Sequence, residues 1–203
     1  MLPDDTVFDF ITKSENLSVA LEVANYVERL KDTLHPLFWE MFNSKIMGRI
    51  VDSGFSNSWK YKIKLSAKAY KSGWTYNEFL PIRERDSDTP FLFMRFGQGS
   101  SETNYRLRWG VRWTKAPTSF MHPALTTLTS TLISLGLEEV HEDNNIIKWG
   151  FYNQEIYSLE FLTEMYNHPD EWVDKIVSDV WQSFLDIVPL METINEAVAN
   201  AKT

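Results

Sequence analysis

Two stretches of this chain alternate, residue by residue, between apolar and cationic side chains. Only a β-strand with one buried and one outward face accommodates that period. In the first stretch Trp59, Tyr61, Ile63, Leu65 and Ala67 fall on one side, and Lys60, Lys62, Lys64, Ser66 and Lys68 on the other. In the second, Tyr105, Leu107, Trp109, Val111 and Trp113 alternate with Arg106, Arg108, Gly110, Arg112 and Thr114. A helical winding would scatter both sets around its axis, so the pattern predicts a sheet with an apolar inner face and a basic outer one.

The neighbouring sequence fills in that sheet. Phe79 to Arg85 reads as a further strand, the acidic-polar Asp86 to Pro90 as a loop, and the apolar run Phe91 to Phe96 as a buried central strand. Gly97-Gln98-Gly99-Ser100 reads as a hairpin turn and Ile146 to Tyr152 as one more strand. Outside this region the period is helical. After a tail to Phe10, Leu17, Leu21, Ala24, Val27 and Leu30 predict a helix over about Ser14 to Leu34. Pro36 interrupts it, and Phe38, Phe42, Ile46 and Ile50 mark a second stripe that Gly54 can end in a left-handed cap. An αα-hairpin and a kinked long helix fit equally.

Leu125, Leu128, Leu132 and Leu135 describe a third helix closed by Gly136, and Ser158 to Tyr166 a fourth that pauses at Asn167-His168-Pro169. The last helix has Asp170 and Glu171 in its first turn and Trp172, Ile176, Val180, Phe184 and Ile187 on one stripe, with Pro189 expected to kink or split it. There is no internal repeat, heptad array or linker. The fold predicted is α+β: a curved, mainly antiparallel sheet from residues 58–115 and 146–152, flanked by N-terminal and C-terminal helices. It forms one domain over 1–203, helical in 1–54, basic and β in 58–115, and mixed, mostly helical and acidic in 118–203.

Composition supports a real core, with 43% apolar and 14% aromatic residues in 203. No cysteine is present, which removes disulfides, thiolate metal sites and cysteine nucleophiles and permits a reducing compartment. The opening MLPDDTVFDF is acidic where a signal peptide is basic, and no run reaches the ~18 apolar residues of a membrane span. A cytoplasmic protein without a membrane partner is expected. The net charge of −8 conceals a segregation: residues 1–43 hold three basic and eight acidic groups, 44–115 fourteen and six, and 116–203 three and fourteen. The central segment therefore carries a positive surface inside an acidic chain.

Few residues offer catalytic chemistry. The histidines 35, 122, 141 and 168 form no His-x-His or His-x-x-x-His pair, and Glu164 with His168 would need two more ligands to hold a metal. Asp86 with Asp88, and Glu138, Glu139, Glu142 and Asp143, lie in loops, where acidic residues ordinarily serve turns and solvent. Gly97-x-Gly99 joins two strands and does not open a helix, as a phosphate loop would. No cofactor, catalytic residue or metal site is expected.

The cationic face is the constellation that stands out. Lys60, Lys62, Lys64 and Lys68 on one strand and Arg106, Arg108 and Arg112 on another, with Arg83 and Arg85 nearby, repel one another. Either the chain's own carboxylates offset them, or the face is solvated or takes an anionic partner. In the last case it contacts nucleic acid or an acidic protein, and Tyr70, Trp74 and Tyr76 could stack on bases. An alternative is an enzyme or sensor for an anionic small molecule such as a nucleotide, with these arginines clamping phosphate and Trp109 or Trp113 stacking. A third is a structural subunit that docks through acidic helices.

Several landmarks taken together give a family likeness: Phe38-Trp39-Glu40, the Tyr105 to Trp113 strand, the leucine-rich helix ending at Gly136, Lys148-Trp149, and Pro169-Asp170-Glu171-Trp172. Over residues 37–190 the chain resembles an uncharacterised domain found at the C-terminus of restriction-related and DNA-defence proteins, where it often follows a nuclease domain. The associated nucleases use an Asp followed by Asp/Glu-x-Lys, and here no lysine has an acid two positions before it. The resemblance therefore implies an accessory domain, and a non-enzymatic binding role in restriction, phage defence or counter-defence.

Overall fold

The computed structural model describes residues 5–63, 75–82, 89–99, 105–117, 120–137 and 145–201. Helices α1 (Asp5–Ile11) and α2 (Ser14–Asp52) lead through a single 3-10 turn, Phe55–Asn57, into strand β1 (Trp59–Lys62). Then follow β2 (Thr75–Pro81), β3 (Leu92–Gln98), β4 (Arg106–Trp113), α3 (Pro123–Ser134), β5 (Ile146–Glu155), α4 (Leu159–Asn167) and α5 (Pro169–Asn200). The five strands form an antiparallel sheet in chain order, β1-β2-β3-β4-β5. The fold is α+β, as the two periods of the sequence predict.

One face of the sheet is the floor of the core. Trp59, Phe79, Leu92, Met94, Phe96, Leu107, Trp109, Val111 and Trp113 are buried there beneath helices α2, α4 and α5. On α5 the stripe Trp172, Ile176, Val180, Phe184 and Ile187 is buried as its spacing requires, and α2 buries Leu34, Phe38, Trp39, Phe42, Ile46 and Ile50. Aromatic rings dominate the seam: Phe42 stacks on Phe96 with centroids 4.7 Å apart, and Phe184 on Phe79 at 4.7 Å.

Of the two readings left open at Pro36 the single long helix holds, and α5 likewise runs through Pro189 without splitting. A proline in a helix interior removes one hydrogen bond and costs roughly 3 kcal/mol. Next to Pro36 the helix buries Leu34, His35, Phe38 and Trp39, and next to Pro189 it buries Ile187, Val188 and Met191, so packing outweighs that cost. The expected tail is corrected, since Asp5–Ile11 forms α1. Gly54 (φ 75°) and Gly136 (φ 84°) do take left-handed backbone just beyond the ends of α2 and α3.

The expected turn at Gly97-Gln98 is likewise corrected. Both residues belong to β3, and the Gly99 amide extends the ladder by donating to the Arg106 carbonyl at 2.9 Å. On β4, Gly110 is the position with no room for a side chain: a Cβ there would collide with the Trp149 ring and the Lys148 carbonyl. Gly110→Ala should therefore cost about 1–3 kcal/mol through strand displacement, read as a lowered urea midpoint at unchanged slope.

Candidate anion-binding face of the sheet

The register assigns the outer face residue by residue. Lys60 and Lys62 on β1 stand beside Leu80 and Glu78 on β2, and Glu78 beside Arg95 on β3. On β4, Arg108 and Arg112 stand beside Gly97 and Phe93 of β3, and Arg106 and Arg108 beside Glu155 and Phe151 of β5. Six cations thus share this face with two carboxylates among the described residues.

These charges differ in what holds them. Lys60 and Lys62 are exposed, whereas Trp59 on the same strand is buried and the Tyr61 ring packs against Phe79. Among the described residues neither lysine makes an ion pair, and the acidic helices lie on the opposite face of the sheet. Arg95 is neutralised in place: its Nη2 is 2.7 Å and its Nε 2.8 Å from Glu78 Oε1. Arg106 and Arg112 are half-buried, and the Arg106 guanidinium lies 4.7 Å from the Phe151 ring centroid.

Arg108 is only 5% exposed, with its guanidinium 4.3 Å from the Trp149 ring centroid. Strict alternation puts it on the outer face, yet the aromatic residues of β5 wall it in, which local sequence does not reveal. Tyr76, expected to offer a ring to bases, already carries the Arg95 guanidinium 4.0 Å from its centroid. Lys64, Lys68, Tyr70, Trp74, Arg83 and Arg85 lie outside the described residues. The accessible basic feature is therefore the β1 edge, with partial access at Arg106 and Arg112.

Behind the sheet lie buried polar groups that the sequence did not single out. Trp39 Nε1 can only donate, so the atom it meets at 2.8 Å is the Gln98 carbonyl oxygen. His35 Nε2 meets the same oxygen at 2.6 Å and must carry a proton, which leaves Nδ1 to accept from the Tyr157 hydroxyl at 3.1 Å. Burial pushes the His35 pKa down to about 4, and the bond to Gln98 and the field of Asp32 offset that only partly. Both ring nitrogens are thus engaged in joining α2 to the end of β3 and to the turn before α4. The ring is a structural latch.

A second latch closes a gap in the sheet. If the β2–β3 register ran on, Pro81, which has no N–H, would face Leu92. The Asn195 side chain of α5 replaces that pairing, accepting from Leu92 N at 2.6 Å and donating to Leu92 O at 3.2 Å. A third group joins Tyr61, Asn43 and Asn77, where the Tyr61 hydroxyl donates to Asn43 Oδ1 at 2.9 Å and burial raises its pKa.

Two clefts on the described surface hold tryptophan and arginine apart, each beside carboxylates. A cleft of about 350 Å³ holds Trp59 but is lined by Glu192 and Glu196, and one of about 320 Å³ holds Arg106 beside Glu155 and Glu160. Among the described residues no three His, Asp or Glu side chains converge to hold a metal ion, and no helix is long and apolar enough to cross a membrane. No family model, curated protein or solved structure matches this chain, so the chemistry of this face has to be read from its own residues.

Proposed function

We propose that this chain is a non-enzymatic binding protein that contacts nucleic acid through the basic outer face of its sheet, entered from the β1 edge. One observation carries this reading: Lys60 and Lys62 are exposed, side by side on one face, and make no ion pair among the described residues. Exposed cations on an edge strand keep other strands from pairing with it, and they also track a phosphate backbone without reading bases. Arg106 and Arg112 extend the same face across the sheet. The setting that fits the family likeness is restriction, phage defence or counter-defence in the cytoplasm.

Mobility shift with single-stranded and double-stranded DNA and with RNA, each at two salt concentrations, tests the proposal. Binding indifferent to sequence is expected, weakening with salt by about one logarithmic unit of slope for each phosphate contact made. Absence of a shift at low salt, or an affinity that salt leaves unchanged, would contradict it.

A further inference from the structure

The first half of α2 is a helix that the rest of the chain does not cover. From Ser14 to Arg29 nearly every residue is exposed, including Val19 and Val23 at 59% and 55%, and α1 beside it exposes Val7, Phe8 and Phe10. A helix apolar over this much of its circumference is normally a buried one. Val7, Phe8 and Phe10 on α1 and Val19, Leu21, Val23 and Tyr26 on α2 are each more than half exposed, a density of exposed apolar side chains that marks an interaction site.

The arrangement of side chains identifies the occupant. Val19, Val23 and Tyr26, all more than half exposed, follow one another at spacings of four and three, between Asn16, which donates to the Phe10 carbonyl, and Leu30, which packs on the core; the three form a short seam for a second helix. One edge of the seam is apolar, with Ala20 and Val27, and the other is charged, with Glu22 and Arg29 seven residues apart. The Arg29 guanidinium lies 5.6 Å from the Tyr26 ring centroid, which keeps it beside the seam. In an antiparallel pair like edges meet, so Glu22 faces Arg29 of the second copy and Arg29 faces Glu22 of the second copy. Ala20 then meets Val27 of the second copy, and Val27 its Ala20. A parallel pair would instead set each charged edge against the apolar edge.

We propose that this arm docks on the arm of a second copy of the chain, in a two-fold antiparallel pair. Such a dimer closes on itself through one self-complementary surface. It is independent of anion binding, because the arm and the β1 edge are different surfaces.

Light scattering on the full chain, across micromolar concentrations, should give twice the monomer mass of 23.7 kDa. Val23→Glu should give the monomer mass with an unchanged circular dichroism spectrum, since Val23 lies outside the core. Glu22→Arg alone should weaken the dimer about tenfold by placing like charges together, and adding Arg29→Glu should restore it. A monomeric wild type, a dimer indifferent to Val23→Glu, association that continues beyond two copies, or a double variant weaker than Glu22→Arg would each overturn the proposal.

Discussion

Phe184→Ala should lower the stability of this protein by about 3–5 kcal/mol, the largest loss expected from a single side chain. Phe184 is fully buried on α5 where that helix crosses the β1–β2 side of the sheet. Its ring stacks on Phe79 at 4.7 Å and meets Trp59, Phe55 and Trp181 at 5.3, 5.6 and 5.4 Å. Removing it empties the junction of four elements whose rings cannot all move inward together, because each is also pinned by its own backbone. For a chain of this size the loss corresponds to a melting temperature lower by roughly 10 °C, readable by calorimetry. A fall of only a degree or two would show that this junction is loosely packed.

The second large effect is acid sensitivity through His35. Its folded pKa of about 4 lies below the ordinary value of 6.5, so between these values the unfolded chain binds a proton that the folded chain refuses. Stability from this group is complete above about pH 6.5 and falls as the pH drops toward 4, by about 3 kcal/mol in all. Protonation would turn the Tyr157 hydroxyl from donor to acceptor and place a charge in a pocket walled by the Tyr105 and Tyr157 rings at 5.7 and 5.3 Å, where burial disfavours it. Denaturant midpoints measured from pH 7 to pH 4 check this. His35→Gln should be less stable at pH 7 and should lose most of the wild-type slope between pH 6.5 and 4. An equal slope in both proteins would assign the acid sensitivity to other groups.

Much of the fold was legible because its determinants are local. Alternation from Trp59 places Lys60 and Lys62 outward for the same reason that it places Trp59 inward, and the pattern from Leu107 to Trp113 does so on β4. What escaped depends on partners far along the chain. Gln98 sits between two glycines and reads as a turn, yet its carbonyl oxygen answers His35 and Trp39, some sixty residues earlier. Pro36 and Pro189 left a break and a continuous helix equally open, and only the core packed beside each of them decides for the continuous helix. Arg108 has the same local pattern as Arg106, and only the pairing of β5 with β4 shows that Trp149 and Phe151 enclose its guanidinium. The helical period of α2 was visible in Leu17, Leu21, Ala24, Val27 and Leu30, although Val19, Val23 and Tyr26 on another side of the helix are exposed too. That helix's lack of cover was not, since periodicity marks an apolar face without saying what lies against it.

The decisive measurement for the basic face takes affinity and melting temperature from the same protein, Lys60→Glu combined with Lys62→Glu. Both side chains are exposed and without an ion pair among the described residues, so the fold should lose less than about 1 kcal/mol. Nucleic-acid affinity should fall alike for all sequences, and the logarithmic salt slope should drop by about two units. A parallel pair, Arg106→Glu with Arg112→Glu, reports whether contact extends across the sheet. A lowered melting temperature with unchanged affinity would contradict the account and return these lysines to a structural role.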